Sequence, residues 1–133
     1  MGWLCQLRAA PYSYDLIDNF GRRSPQRLTP GLDRLAVGQR FMTIFALVDF
    51  EPDRHVTLRV RRAAGAFGDT AVTYAVRAAG PRRSRLVVRV RTRRRGGPLG
   101  AMVDHAMPWL DLVMMRRQLL NLRRLAEESQ ASV

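Results

Sequence analysis

The sequence predicts an α+β fold in which an antiparallel β-sheet is covered by a long C-terminal helix. Between residues 40 and 95, apolar and polar residues alternate in runs separated by short turns, which is typical of strands joined by hairpins. Over residues 108–128, apolar residues recur at steps of three and four, as they do on a helix. The length of 133 residues fits one domain with a single core.

The first third of the chain predicts short helices followed by a loop. Residues 3–8 read as a short helical segment. Ser13 is placed to cap a second short helix over residues 14–20, because a serine hydroxyl can accept a hydrogen bond from a free N–H of the first turn. Residues 22–35 are rich in proline, glycine and arginine, so we expect a loop there.

The middle of the chain predicts a β-meander with one apolar face. The predicted strands are residues 44–51, 55–62, 70–78 and 84–95, with a short strand at 40–43 before them. In the first long strand the alternation pairs Ile44, Ala46, Val48 and Phe50 on one face. The short connections favour antiparallel pairing of neighbours. The other face of the sheet carries most of the strand arginines, namely Arg59, Arg61, Arg77, Arg89, Arg91 and Arg93.

The closing helix is predicted over residues 108–128, and residues 129–133 are expected to form a frayed tail. Pro108 fits a first turn and would kink a shorter helical piece at 98–107. One apolar stripe comprises Leu112, Met115, Leu119, Leu122 and Ala126, and a second comprises Trp109, Val113 and Leu120. A helix with so wide an apolar surface must be covered on more than one side. We expect Leu112, Met115 and Leu119 to face the sheet.

The charge of the chain raises the question of an anionic partner. All 23 basic residues are arginine, and the formal net charge is +12. A basic protein attracts polyanions, but arginine without lysine is also the product of a GC-rich coding sequence. Sheets that bind nucleic acid place aromatic side chains among the cations, whereas this face offers at most Phe45. Solvated charge is therefore favoured over nucleic-acid binding.

Cysteine content and hydropathy indicate a cytoplasmic protein. The single cysteine, Cys5, excludes an internal disulfide and fits a reducing compartment. The opening residues lack a charged region followed by a long apolar run, so we expect no secretory signal. No apolar stretch reaches the length of about 20 residues that crosses a bilayer, so we expect no membrane insertion.

The sequence offers no legible catalytic or metal-binding motif. Glu51, Asp53 and His55 straddle a turn without a second histidine, so a metal site there is not expected. Asp104 and His105 are neighbours, and neighbours on a helix point apart, which disfavours a catalytic dyad. No glycine-rich phosphate loop or nucleophile elbow is present. We therefore expect no cofactor, and binding is favoured over catalysis.

Segments at both ends of the chain resemble one protein superfamily. The matching segments are residues 3–7, 12–19, 22–24, 35–38 and 113–127. They resemble an uncharacterised bacterial branch of the START and Bet v 1-like superfamily, also called SRPBCC or the polyketide cyclase/dehydrase and lipid-transport group. The resemblance implies a helix-grip fold, in which a curved antiparallel sheet holds a long C-terminal helix on its concave face beside short N-terminal helices. It also implies a cavity for a small hydrophobic or lipid-like ligand.

The chain departs from this family pattern at its start. Residues 3–7 resemble the later half of the family's first helix, which leaves no counterpart for the family's first strand. In the family that strand pairs with the last one, so residues 84–95 are expected to be an open edge. A start codon placed too late is the favoured explanation; a homo-oligomer that borrows a strand and a more open cavity are the alternatives. We accordingly expect a single, N-terminally incomplete domain over residues 1–128.

A ligand site is predicted between the sheet and the closing helix. Its expected residues are Leu58, Val72, Tyr74, Val88, Trp109, Val113, Met115 and Leu119, with Tyr14 near the mouth. A mostly apolar cleft with a few polar groups is the usual form of a small-molecule site. The alternative is a packed core without room for a ligand. Two other functions remain open, namely polyanion binding by the outer arginines and a cofactor-independent cyclase-type enzyme.

Overall fold

The chain folds into a five-stranded sheet and a long C-terminal helix. The computed structural model describes residues 1–12, 21–61, 69–93 and 97–132. The elements are α1 (Gly2–Cys5), a 3₁₀ turn (Gln6–Arg8), β1 (Arg40–Phe41), β2 (Phe45–Glu51), β3 (His55–Val60), β4 (Thr70–Gly80), β5 (Arg83–Thr92) and α2 (Gly97–Ala131). The predicted α+β class is confirmed. The short helix predicted at 14–20 lies outside the described residues.

The strands form an antiparallel meander in chain order, from β1 at one edge to β5 at the other. Their registers align Leu47, Leu58, Val72 and Val90 in one row across the sheet. This row marks the inner face, which packs toward α2. The inner face also includes Phe50, Val56, Tyr74, Val76, Leu86 and Val88.

A β-bulge changes the alternation in β2. The register with β3 shifts between Leu47 and Asp49, so Val48 is the inserted residue. Leu47 is fully buried, Val48 is exposed, and Phe50 pairs with the buried Val56. The prediction that Ala46, Val48 and Phe50 share the apolar face is therefore wrong, because one extra residue moves the side chains beyond it to the other face.

The core lies between the inner face, the N-terminal segment and the C-terminal half of α2. Its buried members are Leu4, Leu7, Ala10, Tyr12, Phe41, Leu47, Val56, Leu58, Val72, Tyr74, Leu122 and Leu125. The indole of Trp3 packs edge-on to the Tyr12 ring, with 6.1 Å between centroids. Residues 1–12 thus contribute Leu4, Leu7, Ala10 and Tyr12 to the core.

The closing helix is longer than predicted. It runs unbroken from Gly97 to Ala131, 35 residues or about 52 Å. Pro108 was predicted in a first turn but lies in the interior of this helix. Because proline has no backbone N–H, the helix lacks one backbone hydrogen bond at this position. The tail expected from residue 129 is also wrong. Ser129 is helical, and its Oγ accepts a hydrogen bond from Trp3 Nε1 at 3.2 Å.

A buried polar side chain ties α2 to the rest of the core. Gln118 Oε1 accepts a hydrogen bond from the Tyr74 hydroxyl at 2.7 Å. Its Nε2 donates to the Pro11 carbonyl at 2.7 Å and to Met42 Sδ at 3.2 Å. One side chain therefore links the sheet, the N-terminal segment and the turn after β1, which fixes the rotation of α2 over the sheet.

None of the described helices has the length and apolarity to cross a bilayer.

Candidate functional site

One flank of α2 is covered by the N-terminal segment. This segment comprises residues 1–12, and Asn121 Nδ2 donates to its Tyr12 carbonyl at 2.8 Å. It also reaches the first edge of the sheet, where Met42 N donates to the Leu7 carbonyl at 2.8 Å. Gln26, in the loop before β1, adds a contact, because its Oε1 accepts a hydrogen bond from Arg124 Nη2 at 2.9 Å. The N-terminal segment therefore fills the space between α2 and the β1 edge.

The opposite flank of α2, turned away from the N-terminal segment, carries leucines. At 100° per residue, Leu119 and Leu112 lie about 160° and 180° around the helix from Asn121. Leu119 is half-buried and Leu112 is 60% exposed. Leu112 was predicted to face the sheet, and this exposure shows that it does not lie against it. No described segment fills this side as the N-terminal segment fills the other.

The inner face is correspondingly open along β5. Leu86 and Val88 are partly buried against the core, and Val90 is 43% exposed. By contrast Tyr74, which pairs with Val88 on the neighbouring strand, is 1% exposed. Burial of the inner face thus falls off from β4 to β5. We use the name β5 trough for the partly uncovered apolar side chains of β5, Leu86, Val88 and Val90, together with Leu112 and Leu119 on the α2 flank turned away from the N-terminal segment.

A cleft of about 700 Å³ lies at the hairpin end of the same face. It is lined by Asp53, Val76, Ala78, Gly80, Pro81, Arg82, Arg83, Ser84 and Gln130. Val76 pairs with Leu86 across the β4–β5 ladder, so the apolar floor of the cleft continues into the β5 trough. Arg82 and Arg83 provide cationic groups at the turn. The arrangement combines an apolar wall with a basic end.

Six of the sequence-predicted ligand residues are buried or partly buried in the described part of the chain, and they divide into two groups. Leu58, Val72 and Tyr74 are buried in the packed core. Val88, Met115 and Leu119 are partly buried. The first group supplies the layer beneath the site, and in the second Val88 and Leu119 line the β5 trough. Tyr14 lies outside the described residues.

Trp109 and Val113 do not face the sheet. They are 72% and 51% exposed. Each lies nine residues before a buried residue of α2, Trp109 before Gln118 and Val113 before Leu122, and nine residues turn a helix through two and a half turns. Their side chains therefore leave the helix on its far side. The predicted inward orientation is wrong for both, because an apolar stripe does not reveal which side of a helix meets the sheet.

On the outer face of the sheet, the described acids are engaged by nearby residues. Arg59 forms two hydrogen bonds of 2.9 Å with Asp69, and these bonds lower the pKa of that carboxyl. Asp49 Oδ2 lies 3.0 Å from His55 Nε2. Glu51 pairs with Arg54 at 3.3 Å. Asp69 therefore pairs with the strand arginine Arg59, whereas the partners of Asp49 and Glu51 are His55 and the turn residue Arg54.

The arginines of β5 are left exposed on this outer face. Arg85, Arg89 and Arg91 form no ion pair with the described carboxylates. The outer-face positions of β3, β4 and β5 hold no Phe, Tyr or Trp. The surface therefore has charge without a stacking platform for bases.

Burial shifts the pKa of two titratable groups among the described residues, Tyr74 and Cys5. Burial raises the pKa of the Tyr74 phenol, partly opposed by its hydrogen bond to Gln118. Burial also raises the pKa of the Cys5 thiol. Among the described residues, no group of three or more His, Cys, Asp or Glu could hold a metal ion. What remains at the trough is apolar surface with a basic end, which can bind a ligand.

Comparison with protein-family models, curated proteins and solved structures gives no match.

Sequence reasoning missed the polar residues that position the site. Gln118 falls among the apolar positions of α2, between Met115 and Leu122, where a polar side chain signals a buried hydrogen bond. Arg82 and Arg83 fall in the connection between the predicted strands at 70–78 and 84–95. The cleft that they line also includes Gln130 of α2, which is distant in the sequence, so the local sequence gives no sign of the cleft.

Proposed function

We propose that this chain is a helix-grip domain of the START and Bet v 1-like type that binds a small amphipathic molecule between its sheet and its C-terminal helix. The ligand class is an apolar body with an acidic group, such as a fatty acid. The antiparallel meander and the long closing helix are compatible with this fold. The order of these elements agrees with the resemblance carried by residues 3–7 and 113–127.

A single observation carries the proposal: α2 is sealed against the sheet on one flank and open on the other. Hydrogen bonds from Gln118 and Asn121 to the N-terminal segment close the β1 side. On the β5 side, Leu112 and Val90 keep 60% and 43% of their surface exposed. Apolar surface left open beside a packed core is the usual lining of a ligand site, and its burial by a ligand yields about 25 cal/mol per Å².

The basic end of the cleft selects for an acidic head group. Arg82 and Arg83 can donate hydrogen bonds to a carboxylate, and charge-assisted bonds of this kind are stronger than neutral ones. Asp53 also lines the cleft and would repel a head group placed next to it. The inner face from Ser84 to Val90 spans about 20 Å, enough for an extended hydrocarbon chain.

Binding is proposed in preference to catalysis. Asp53 is the one carboxylate among the residues that line the described cleft, and no histidine or cysteine accompanies it. General acid–base catalysis needs a donor and an acceptor placed at the reacting atoms. The buried Tyr74 hydroxyl of the core donates its hydrogen bond to Gln118.

The proposal is tested by calorimetric titration of the full chain with dodecanoate. The chain offers a matched pair of variants, Leu119→Arg in the β5 trough and Leu120→Arg on the far side of the same helix. A charge in the trough excludes an apolar chain, so Leu119→Arg should weaken binding by at least about tenfold, equivalent to 1.4 kcal/mol. Leu120→Arg should leave the affinity within about twofold.

Circular dichroism should show that both variants remain folded. An absence of dodecanoate binding to the parent chain, or equal weakening by the two variants, would remove the proposal. A second titration with dodecanol separates the contribution of the head group. Loss of the carboxylate should reduce affinity in the parent chain, and this reduction should disappear in an Arg82→Gln, Arg83→Gln variant.

A further inference from the structure

The outer edge of β5 has no neighbouring strand among the described residues. In the sheet order, β5 follows β4 and ends the sheet. An edge of this kind exposes backbone donors and acceptors that can pair with another extended segment. The edge spans ten residues, Arg83–Thr92, which is long for an unprotected edge strand.

The register identifies which backbone groups are free. Arg93 N donates to the Asp69 carbonyl at 3.0 Å, so the ladder between β4 and β5 uses the odd-numbered residues of β5. In an antiparallel pair the intervening residues direct their N–H and C=O groups away from the partner. The even-numbered residues of β5 therefore point to the open edge. They are Ser84, Leu86, Val88, Val90 and Thr92.

An added strand would meet a different chemistry on each side of the sheet. On the inner face it would lie beside the side chains of Leu86, Val88 and Val90, which are apolar and partly exposed. On the outer face it would lie beside exposed cationic side chains, interrupted only by Val87. These are Arg85, Arg89 and Arg91.

A second copy of this edge is a poor occupant. If two β5 strands paired, arginines of one copy would approach those of the other on the outer face. Like charges across a strand pair are destabilising, and each chain already carries a net charge of +12. Carboxylates on the incoming strand would be favourable instead. The described carboxylates form no ion pair with Arg85, Arg89 or Arg91, so these guanidinium groups can be approached from solution.

We propose that the β5 edge binds an extended segment of another protein in which acidic residues alternate with apolar ones. The backbone of the segment pairs with the even-numbered residues of β5. Its carboxylates lie beside Arg85, Arg89 and Arg91, and its apolar side chains extend the inner face beyond Val88. This partner is distinct from the small ligand of the trough, because its charge contacts lie on the outer face of the sheet.

The test uses fluorescence anisotropy of the full chain with labelled, end-capped octapeptides. The probe alternates valine and glutamate. One comparison peptide has glutamine in place of glutamate, and another has the same composition as the probe in two blocks, four valines followed by four glutamates. The alternating acidic peptide should bind at least about tenfold more tightly than either, because only it satisfies both faces.

Three variants locate the binding. Val88→Pro removes an N–H that points to the open edge and leaves the β4 ladder in place, so it should abolish peptide binding while the far-ultraviolet circular dichroism stays unchanged. The double change Arg89→Gln, Arg91→Gln should weaken binding by at least about tenfold. The control Arg40→Gln, Arg116→Gln removes the same charge from β1 and α2 and should change affinity less than twofold.

Several outcomes would overturn the proposal. They are the absence of peptide binding, equal binding of the block peptide, equal weakening by the two arginine pairs, and unchanged binding by Val88→Pro. Equal binding of a single-stranded oligonucleotide would indicate general attraction of polyanions. A dimer in sedimentation analysis that Val88→Pro dissociates would make a second copy the occupant. Loss of peptide binding in a chain extended by the residues encoded immediately upstream of Met1 would make the protein's own first strand the occupant.

Discussion

Substitution of Tyr74 and Gln118, singly and together, tests the polar contact that holds α2 over the sheet. Tyr74→Phe removes the donor and leaves the buried Gln118 Oε1 without its 2.7 Å partner. One buried group left unsatisfied costs about 1–3 kcal/mol. Gln118→Met keeps a similar side-chain length but removes the hydrogen-bond partner of two groups, the Tyr74 hydroxyl and the Pro11 carbonyl. We therefore expect a cost of about 2–5 kcal/mol.

The double variant is the informative measurement. In Tyr74→Phe, Gln118→Met only the Pro11 carbonyl loses its partner, so the cost should fall below the sum of the single costs by at least about 1 kcal/mol. Urea unfolding followed by circular dichroism measures these values, with unchanged slopes required for the comparison. Gln130→Met, an exposed position on the same helix, serves as control and should change stability by less than about 0.5 kcal/mol. Additive single costs would refute the coupling.

Three further predictions concern packing and reactivity. Leu122→Ala should lower the free energy of unfolding by about 2–5 kcal/mol, whereas Trp109→Ala should change it by less than about 1 kcal/mol; urea unfolding checks both. Cys5, whose pKa is raised by burial, should stay protonated at neutral pH and react with iodoacetamide at least about tenfold more slowly in the folded chain than in urea; equal rates would contradict this. Ser129→Ala should cost about 0.5–1.5 kcal/mol through loss of its hydrogen bond with Trp3, and no measurable loss would show that residue 129 adds nothing to helix docking.

The sheet was predictable because its cause is local. Alternation in β3, β4 and β5 gives one apolar face, and short turns leave antiparallel pairing as the economical arrangement. The alternation failed at Val48, where an inserted residue shifts the register. A bulge depends on how two strands meet, and a single strand read alone does not contain that information.

The orientation of α2 could not be read from its own sequence. The helix has apolar residues on several sides, so periodicity alone made Trp109 as good a candidate for the interior as Leu122. The choice depends on distant partners, chiefly the Pro11 carbonyl and the Tyr74 hydroxyl, both bound by Gln118. Long-range contacts of this kind decide which stripe is buried. For this reason the candidate site lies on the β5 side of the sheet and not at its centre, where the sequence predicted it.

The β5 trough is tested most directly by methyl NMR spectroscopy of the chain with labelled leucine and valine, titrated with dodecanoate. Shift changes should concentrate on Leu86, Val88, Leu112 and Leu119, and intermolecular nuclear Overhauser effects should connect these methyl groups to the hydrocarbon chain. The methyl groups of Leu120, on the far side of α2, should not respond. Shifts confined to Leu120 and its neighbours on the far side, or no shifts at saturating dodecanoate, would contradict a ligand site between the sheet and the helix.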